Sequence, residues 1–526
     1  MDSKPREHDA LEPSQPPSQD ASLTAVEPSN SYGQILKSSA LIGGASIATL
    51  AIGMVRTKAM AILLGPAGFG LMSLYSSVLD LALSVAGFGI NSAGVRQIAE
   101  ASASGNADRV ARTAKVLRRT SVVLGVLGGV ALVALSSQVS ILTFGNNQQS
   151  VAIALLALAV FLRLVADGQG ALIQGMRRIA DMAKSNILGA LFGTIVSIPL
   201  VYFLGIDGVV PSLVAIAGMS ALTAWWFGRR IRVPPVVLTT TAYRQEAASL
   251  LKLGTAFMAS GLLMMGAAYA VRMILTRQSG LDAAGFYQSA WTLGGLYVAF
   301  ILQAMGADFY PRLVGVAEDR AKSNRTVNEQ AHVSLLLAGP GVLATIALAP
   351  LIIPLFYSAQ FEAAISTLRW VCLGMALRVV SWPMGYIILA RNARLIFFAT
   401  EFAWALVNVS LAFILVPIYG ADGAGMAFFG SYVFHVIMIY FAVRILFGFR
   451  LAMETRHALV LFLLSVGGVV AIVHLLPLYV ATGSALVLIT ALGVYSLATL
   501  TTLVPSERLP QPLRRVLALI QHSRRA

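Results

Sequence analysis

Seven of the 38 lysines and arginines in this 526-residue chain stand inside apolar runs: Arg56, Lys58, Arg163, Arg272, Arg277, Arg369 and Arg378. A cation at the centre of a bilayer costs about 2.5–3.5 kcal/mol on insertion scales, so it faces a cavity, finds a partner or reaches to the interface. Arg163 and Arg378 lie too deep in their runs to reach out easily. Arg163 has Asp167 one helical turn away on the same face, and an ion pair explains it as well as a ligand does. Arg378 has no acid at i±3 or i±4. Arg56 and Arg272 lie deeper than Arg277 and Arg369, at matching positions of spans 1 and 7, and point to a cavity role. Arg277 and Arg369 lie near the outer ends, where extension to the surface or pairing with Asp282 and Glu362 accounts for them, and Lys58 is intermediate.

Few acids share these runs: Asp80, Asp167 and Glu401 are the candidates for carrying a coupling ion. Asp80 is placed to pair with Arg56 on the adjacent span, and Glu401 falls near a helix start, where the helix dipole favours a carboxylate. His435 and His474 could titrate near neutral pH, although packed, hydrogen-bonded histidines explain them better. The balance is cationic. Guanidinium groups lining a cavity suit an anion, most naturally phosphate, which they bind bidentately. A pump for cationic drugs would need the opposite lining.

Positioning these groups requires helices through a membrane. The chain is 57% hydrophobic and only 12% charged, against roughly 45–50% and 25% in soluble domains. One crossing takes about 20 apolar residues. Apolar runs fall near 39–63, 69–93, 118–140, 150–175, 185–204, 208–228, 252–275, 283–307, 333–356, 363–390, 395–417, 423–444, 457–477 and 484–504. The fold expected is an all-α integral membrane protein of about 14 transmembrane helices. Its parts are a disordered tail (1–34), a first lobe of helices 1–6 (35–232), a second of helices 7–12 (245–447), helices 13–14 (456–504) and a basic amphipathic tail (505–526) suited to anionic lipid.

Every second connector is basic, and those between are short and nearly uncharged, as in LGPAG, GIDG and YGADG. Positive connectors stay inside, so both termini are expected in the cytoplasm, and the net charge of +15 reflects this topology rather than nucleic-acid binding. Neither set of loops has room for a catalytic domain, and none carries a nucleotide-binding GxxxxGK[ST] loop. No enzyme activity or cofactor is expected. The single cysteine, Cys372, offers no disulfide and no cysteine metal site; core packing explains it.

The chain also repeats itself. FLRLV at 161–165 matches ALRVV at 376–380, and LGIDG at 204–208 matches YGADG at 419–423, at one and the same offset. Gly68-Phe69 matches Gly285-Phe286, Arg56 matches Arg272, and Arg96 matches Arg312, all close to that offset. Spans 1–6 and 7–12 therefore read as two copies of one bundle. Six is even, so the copies are parallel repeats about an axis along the membrane normal, facing each other across a cavity as in transporters.

The segment LGPAGFGLMSLYSSVLDLALSVAGFGINSAGVRQIAEA, residues 64–101, with the cations that precede it, resembles the polysaccharide transport family of the multidrug/oligosaccharidyl-lipid/polysaccharide exporter superfamily. Among its members it resembles O-antigen and enterobacterial-common-antigen flippases. The resemblance implies a V-shaped exporter fold in a bacterial inner membrane. It implies transfer of an oligosaccharide repeat unit on undecaprenyl pyrophosphate from the cytoplasmic to the periplasmic leaflet by ion-driven alternating access. It extends the pyrophosphate role to Arg56, Arg272, Arg163 and Arg378, and implies membrane lipids, a polysaccharide polymerase and a chain-length regulator as partners. Two additional C-terminal helices and a long acidic N-terminal segment depart from the twelve-span pattern. A multidrug exporter of the same superfamily is the alternative, and would show an acid-lined cavity. A membrane polymerase or ligase would need a long outer loop with catalytic carboxylates or histidines.

Overall fold

A backbone surrounded by lipid satisfies its own hydrogen bonds as helix or closed barrel, and this chain takes the first course. The computed structural model describes residues 28–231, 233–304 and 309–503; residues 1–27 of the expected N-terminal tail and all of the expected C-terminal tail (505–526) lie outside them, and residues 28–34, expected to be disordered, begin the first helix. The first lobe comprises α1 (Pro28–Gly87), α2 (Ile90–Ala103), α3 (Ala107–Ala134), α4 (Ser136–Phe144), α5 (Ser150–Gly175), α6 (Ile179–Leu204) and α7 (Val209–Gly228). The second comprises α8 (Thr240–Ala304), α9 (Tyr310–Gly315), α10 (Arg320–Ala347), α11 (Ala349–Phe356), α12 (Ala364–Ala390), α13 (Arg394–Tyr419) and α14 (Ala421–Phe447). Helices α15 (Met453–Leu475) and α16 (Leu478–Leu503) follow.

Among the described residues, ten continuous helical stretches are long and apolar enough to cross a membrane. Two of them, 43–87 and 179–228, hold two passes each, because Gly65 (φ 63°) and Gly205 (φ 60°) break the helix in a conformation that side chains resist. Helix α8 breaks in the same way at Gly280 (φ 88°). Each of the fourteen apolar runs lies on helix over most of its length. Three depart from a simple span. The run 69–93 turns sharply at Phe88 (φ 44°) and Gly89 (φ 61°) into α2. The runs 118–140 and 333–356 break at Leu135 and Leu348, which separate the short helices α4 and α11 from α3 and α10.

The duplication is written in the backbone. Gly205 (φ 60°, ψ −131°) and Gly420 (φ 58°, ψ −130°) end equivalent helices in nearly identical conformations. Arg177 (φ 55°) and Asn392 (φ 57°) turn the chain between α5 and α6 and between α12 and α13. The side chains of Asn106 and Asp319 cap the first turns of α3 and α10. A helix start leaves backbone donors unsatisfied, and a short polar side chain supplies the acceptor.

Each lobe has its own apolar core, but the two long helices cross over. Met60, Ala61 and Phe69 of α1 join the second lobe's core, and Leu250 and Tyr269 of α8 join the first lobe's. The crossing is reciprocal. A Cβ on Gly70 would collide with the Leu281 carbonyl, and one on Gly285 with the Pro66 carbonyl. The helix breaks at Gly65 and Gly280 set the register here: they pair Gly70, rather than the Gly68 matched from sequence, with Gly285, and Pro66 with Leu281, so the same contact is made twice about the pseudo-axis. Helices α15 and α16 lie on α10, where Gly339 faces Phe462 and Leu492. Asn328 anchors their entry, its amide donating to the Arg450 carbonyl (2.9 Å) and its oxygen accepting from the Ala452 N–H (2.7 Å).

Candidate functional site

Helices α1, α5, α6 and α7 enclose a cavity of about 730 Å³ in the first lobe. It runs from Arg56, Arg163 and Asp167 toward Gln174 and Met182, which flank the basic turn at Arg177–Arg178. Gly170 and Gly189 keep its wall low, and Asn186, Ser220 and Thr223 add hydrogen-bonding groups. A second cavity of about 660 Å³ lies in the second lobe, lined by Trp291, Arg378, Trp382 and Tyr386. Leu296 and Ala299 of α8 border both, so one cleft extends across the two lobes.

Arg163 and Arg378 therefore face the same cleft from mated positions. Among the described residues neither has a carboxylate within 4 Å. The Arg163 charge acts on Asp167, but the expected close ion pair is not formed. Arg378 lies over the Trp382 ring at 4.8 Å, and its Nε is buried without a hydrogen-bond partner. A guanidinium held by an aromatic face but short of an acceptor is disposed toward an anion.

The other sequence candidates have different settings. Arg56 lines the first-lobe cavity. Arg272 is buried at 9% exposure, its Nε donating to Gln288 Oε1 and its Nη1 to the Ala268 carbonyl, both at 3.0 Å. Its polar needs are met inside the bundle. Asp80 makes no contact with Arg56 within 4 Å among the described residues; the charges acting on it are those of Arg163 and Arg272. Glu401 lies two turns rather than one into α13, beyond the reach of the helix dipole. It stands 3.9 Å from His435 Nε2.

Arg277, Arg369 and Lys58 pair with backbone rather than with acids. Lys58 Nζ donates to the Leu355 carbonyl at 2.7 Å, Arg277 to that of Ile141, and Arg369 to that of Ile346 at 3.4 Å. These carbonyls lie in the last turns of α11, α4 and α10, where unsatisfied acceptors and the negative helix end attract cations. Two of these bonds join the lobes in a roughly symmetric way, although Lys58 and Arg277 do not occupy equivalent positions. Span 1 reaches α11 through Lys58, and span 7 reaches α4 through Arg277, onto acceptors in equivalent short helices. With the glycine crossing, they seal the end of the cleft away from the basic loops.

Sequence reasoning missed the aromatic wall of Trp291, Trp382 and Tyr386. Trp382 and Tyr386 follow Arg378 at i+4 and i+8, a stripe that could have been read. Asn186 and Thr223 were also legible as polar interruptions of very apolar helices.

The model of a family described as "Polysaccharide biosynthesis protein" matches residues 59–366, more than half of the chain. The chain belongs to that family. The chain is similar to the Lipid III flippase of Escherichia coli (strain K12), 23% identical over 402 residues, which are 76% of this chain and 95% of the flippase. The Lipid III flippase of Shigella flexneri matches to the same extent. Of solved structures, an inward-facing multidrug resistance MATE family transporter of the MOP superfamily aligns with a TM-score of 0.65 at 16% identity, covering 76% of this chain and 94% of its own. The lipid II flippase MurJ, in an inward closed conformation, aligns with a TM-score of 0.64 at 13% identity, covering 87% and 97%. These likenesses place this member of the family in the V-shaped exporter fold and make it a multi-pass membrane protein.

Proposed function

We propose that this protein is a bacterial inner-membrane flippase. Its cargo would be an oligosaccharide repeat unit, such as an O-antigen or exopolysaccharide unit, linked through pyrophosphate to undecaprenol and moved from the cytoplasmic to the periplasmic leaflet. The observation that carries the reading is the pair of mated arginines, Arg163 and Arg378, facing one cleft from opposite lobes without a carboxylate within 4 Å among the described residues.

In the mechanism, Arg163, Arg378 and Arg56 hold the pyrophosphate, and Arg272 keeps the first half of α8 in place beneath them. The sugar occupies the polar first-lobe cavity and the aromatic wall of the second lobe. The prenyl chain stays in lipid through the gap between the first half of α1 and the second half of α8, since both border the cleft and Ile47, Leu50 and Val55 remain exposed there. Rocking of the lobes then reverses access. Of Asp80, Asp167 and Glu401, one or more takes up the ion that drives the cycle. A polymerase and a chain-length regulator would receive the product. The family match and the lipid III flippase relatives support the cargo class; the arginine lining weighs against a pump for cationic drugs.

Lipid mass spectrometry on cells depleted of the protein tests this. An undecaprenyl-pyrophosphate oligosaccharide should accumulate in the cytoplasmic leaflet while its polymer disappears from the surface. Unchanged lipid-linked sugars would overturn the reading.

A further inference from the structure

The two lobes use equivalent positions differently. Shifted back by the offset that aligns ALRVV with FLRLV, Glu401 corresponds to Asn186, Trp404 to Gly189 and His435 to Ser220. In the first lobe those three positions line the open cavity. In the second, Trp404 and His435 are buried and Glu401 is only partly exposed. The Trp404 ring lies 5.5 Å from Tyr432, and Tyr432 lies 5.7 Å from His435. Behind this aromatic screen His435, 4% exposed, stands 3.9 Å from Glu401. So the space that holds polar ligand groups in one lobe holds an acid–base pair in the other.

The pair is polar without being satisfied. His435 Nδ1, Trp404 Nε1, Asn408 Oδ1 and Arg378 Nε are buried with no hydrogen-bond partner, on three adjacent helices. Buried polar atoms are rarely left so. The groups facing the pair can be named by helix. From α12 the Arg378 charge acts on both Glu401 and His435, and Tyr386 lies within reach of the same charge. From α14 comes Tyr432. Helix α8 also packs against α13 and α14, but its Arg272 is bound by Gln288 and Ala268. The environment suits a proton better than a metal. Hard cations need several oxygen ligands, and here one carboxylate meets an imidazole among aromatic rings.

We propose that Glu401 and His435 form a proton-binding site behind the cleft, and that its charge sets how strongly the unpaired Arg378 attracts an anion. A proton arriving from water binds a Glu401 oxygen or an imidazole nitrogen. Protonating the carboxylate removes a nearby negative charge that offsets the arginine's, so Arg378 attracts phosphate more strongly. Loss of the proton restores that charge and weakens the hold on the anion. The second half of this chain of events rests on the anionic-cargo reading above; the proton site itself does not.

The test uses the purified full-length protein with inorganic pyrophosphate as probe. Infrared difference spectra between acid and mildly alkaline pH should show a carboxyl band that disappears in E401Q, shifts in H435Q and persists in D167N. Calorimetry in buffers of different ionisation enthalpy should show wild type taking up about one more proton per pyrophosphate than E401Q. The probe's own titration is common to both proteins and cancels. If the carboxyl signal survives E401Q, or follows sodium concentration at fixed pH, the proposal is wrong. If pyrophosphate fails to bind while the E401Q infrared difference stands, the proton site holds and the anionic-cargo reading falls.

Discussion

Arginines in an apolar chain differ by what answers their donors. Arg163 and Arg378 face open cleft, so R163Q and R378Q should fold and yet bind pyrophosphate about 10- to 100-fold more weakly. That is the value of one lost charge-assisted contact, about 1.5–3 kcal/mol, and isothermal titration would measure it. R272Q should instead lower the yield of folded protein, because it takes from the part-buried Gln288 Oε1 its guanidinium donor; the thermal melting of the purified variant checks this. The sequence made these positions conspicuous because a charge within an apolar run is costly and rare. It could not show that Arg272 is satisfied by Gln288 from beyond the helix break, or that Glu401 meets His435. Those contacts depend on how separate helices face one another, which spacing along one helix does not contain. The Asp80–Arg56 pairing failed for the same reason.

At the scale of helices, glycine governs where the chain breaks and how closely it crosses. The loops LGPAG, GIDG and YGADG were legible as breaks, and Gly65, Gly205 and Gly420 do adopt positive φ within them. The short helices α2, α4 and α11 were not legible, since the apolar pattern continues through their junctions. Gly70 and Gly285 sit where the α1 and α8 backbones touch. G70L or G285L should therefore prevent the seam from closing, abolishing transport while leaving each lobe's core intact, as lipid accumulation and circular dichroism would show. Outside the membrane, Asp319 caps α10. The Lys322 backbone N–H, followed by its ammonium, holds the carboxyl below the usual carboxylate range. Its folded pKa is lowered, so its contribution to stability is present above the unfolded value and is lost as pH falls through the folded one. Melting of wild type and D319N should differ at neutral pH and converge in acid.

Across the whole molecule, the duplication was readable because equivalent loops keep the same residues, while the sidedness of the closed end was not. That end is held by Lys58 on α11 and Arg277 on α4, two bonds between lobes. The double variant K58Q/R277Q should favour opening there. Cys372 is buried, so a reporter cysteine at the seam, L281C, can be read alone; a membrane-impermeant maleimide should label it several-fold faster in the double variant. The reciprocal seam also sets an order on biogenesis. During synthesis the α1 crossing emerges from the ribosome with Gly70 bare, and nothing can cover it until the chain has grown past Gly285. For that interval the nascent first lobe carries a backbone groove exposed within the membrane, shaped for one partner that does not yet exist. Two halves translated as separate polypeptides, divided in the connector between α7 and α8, would carry complementary copies of that groove and should find each other.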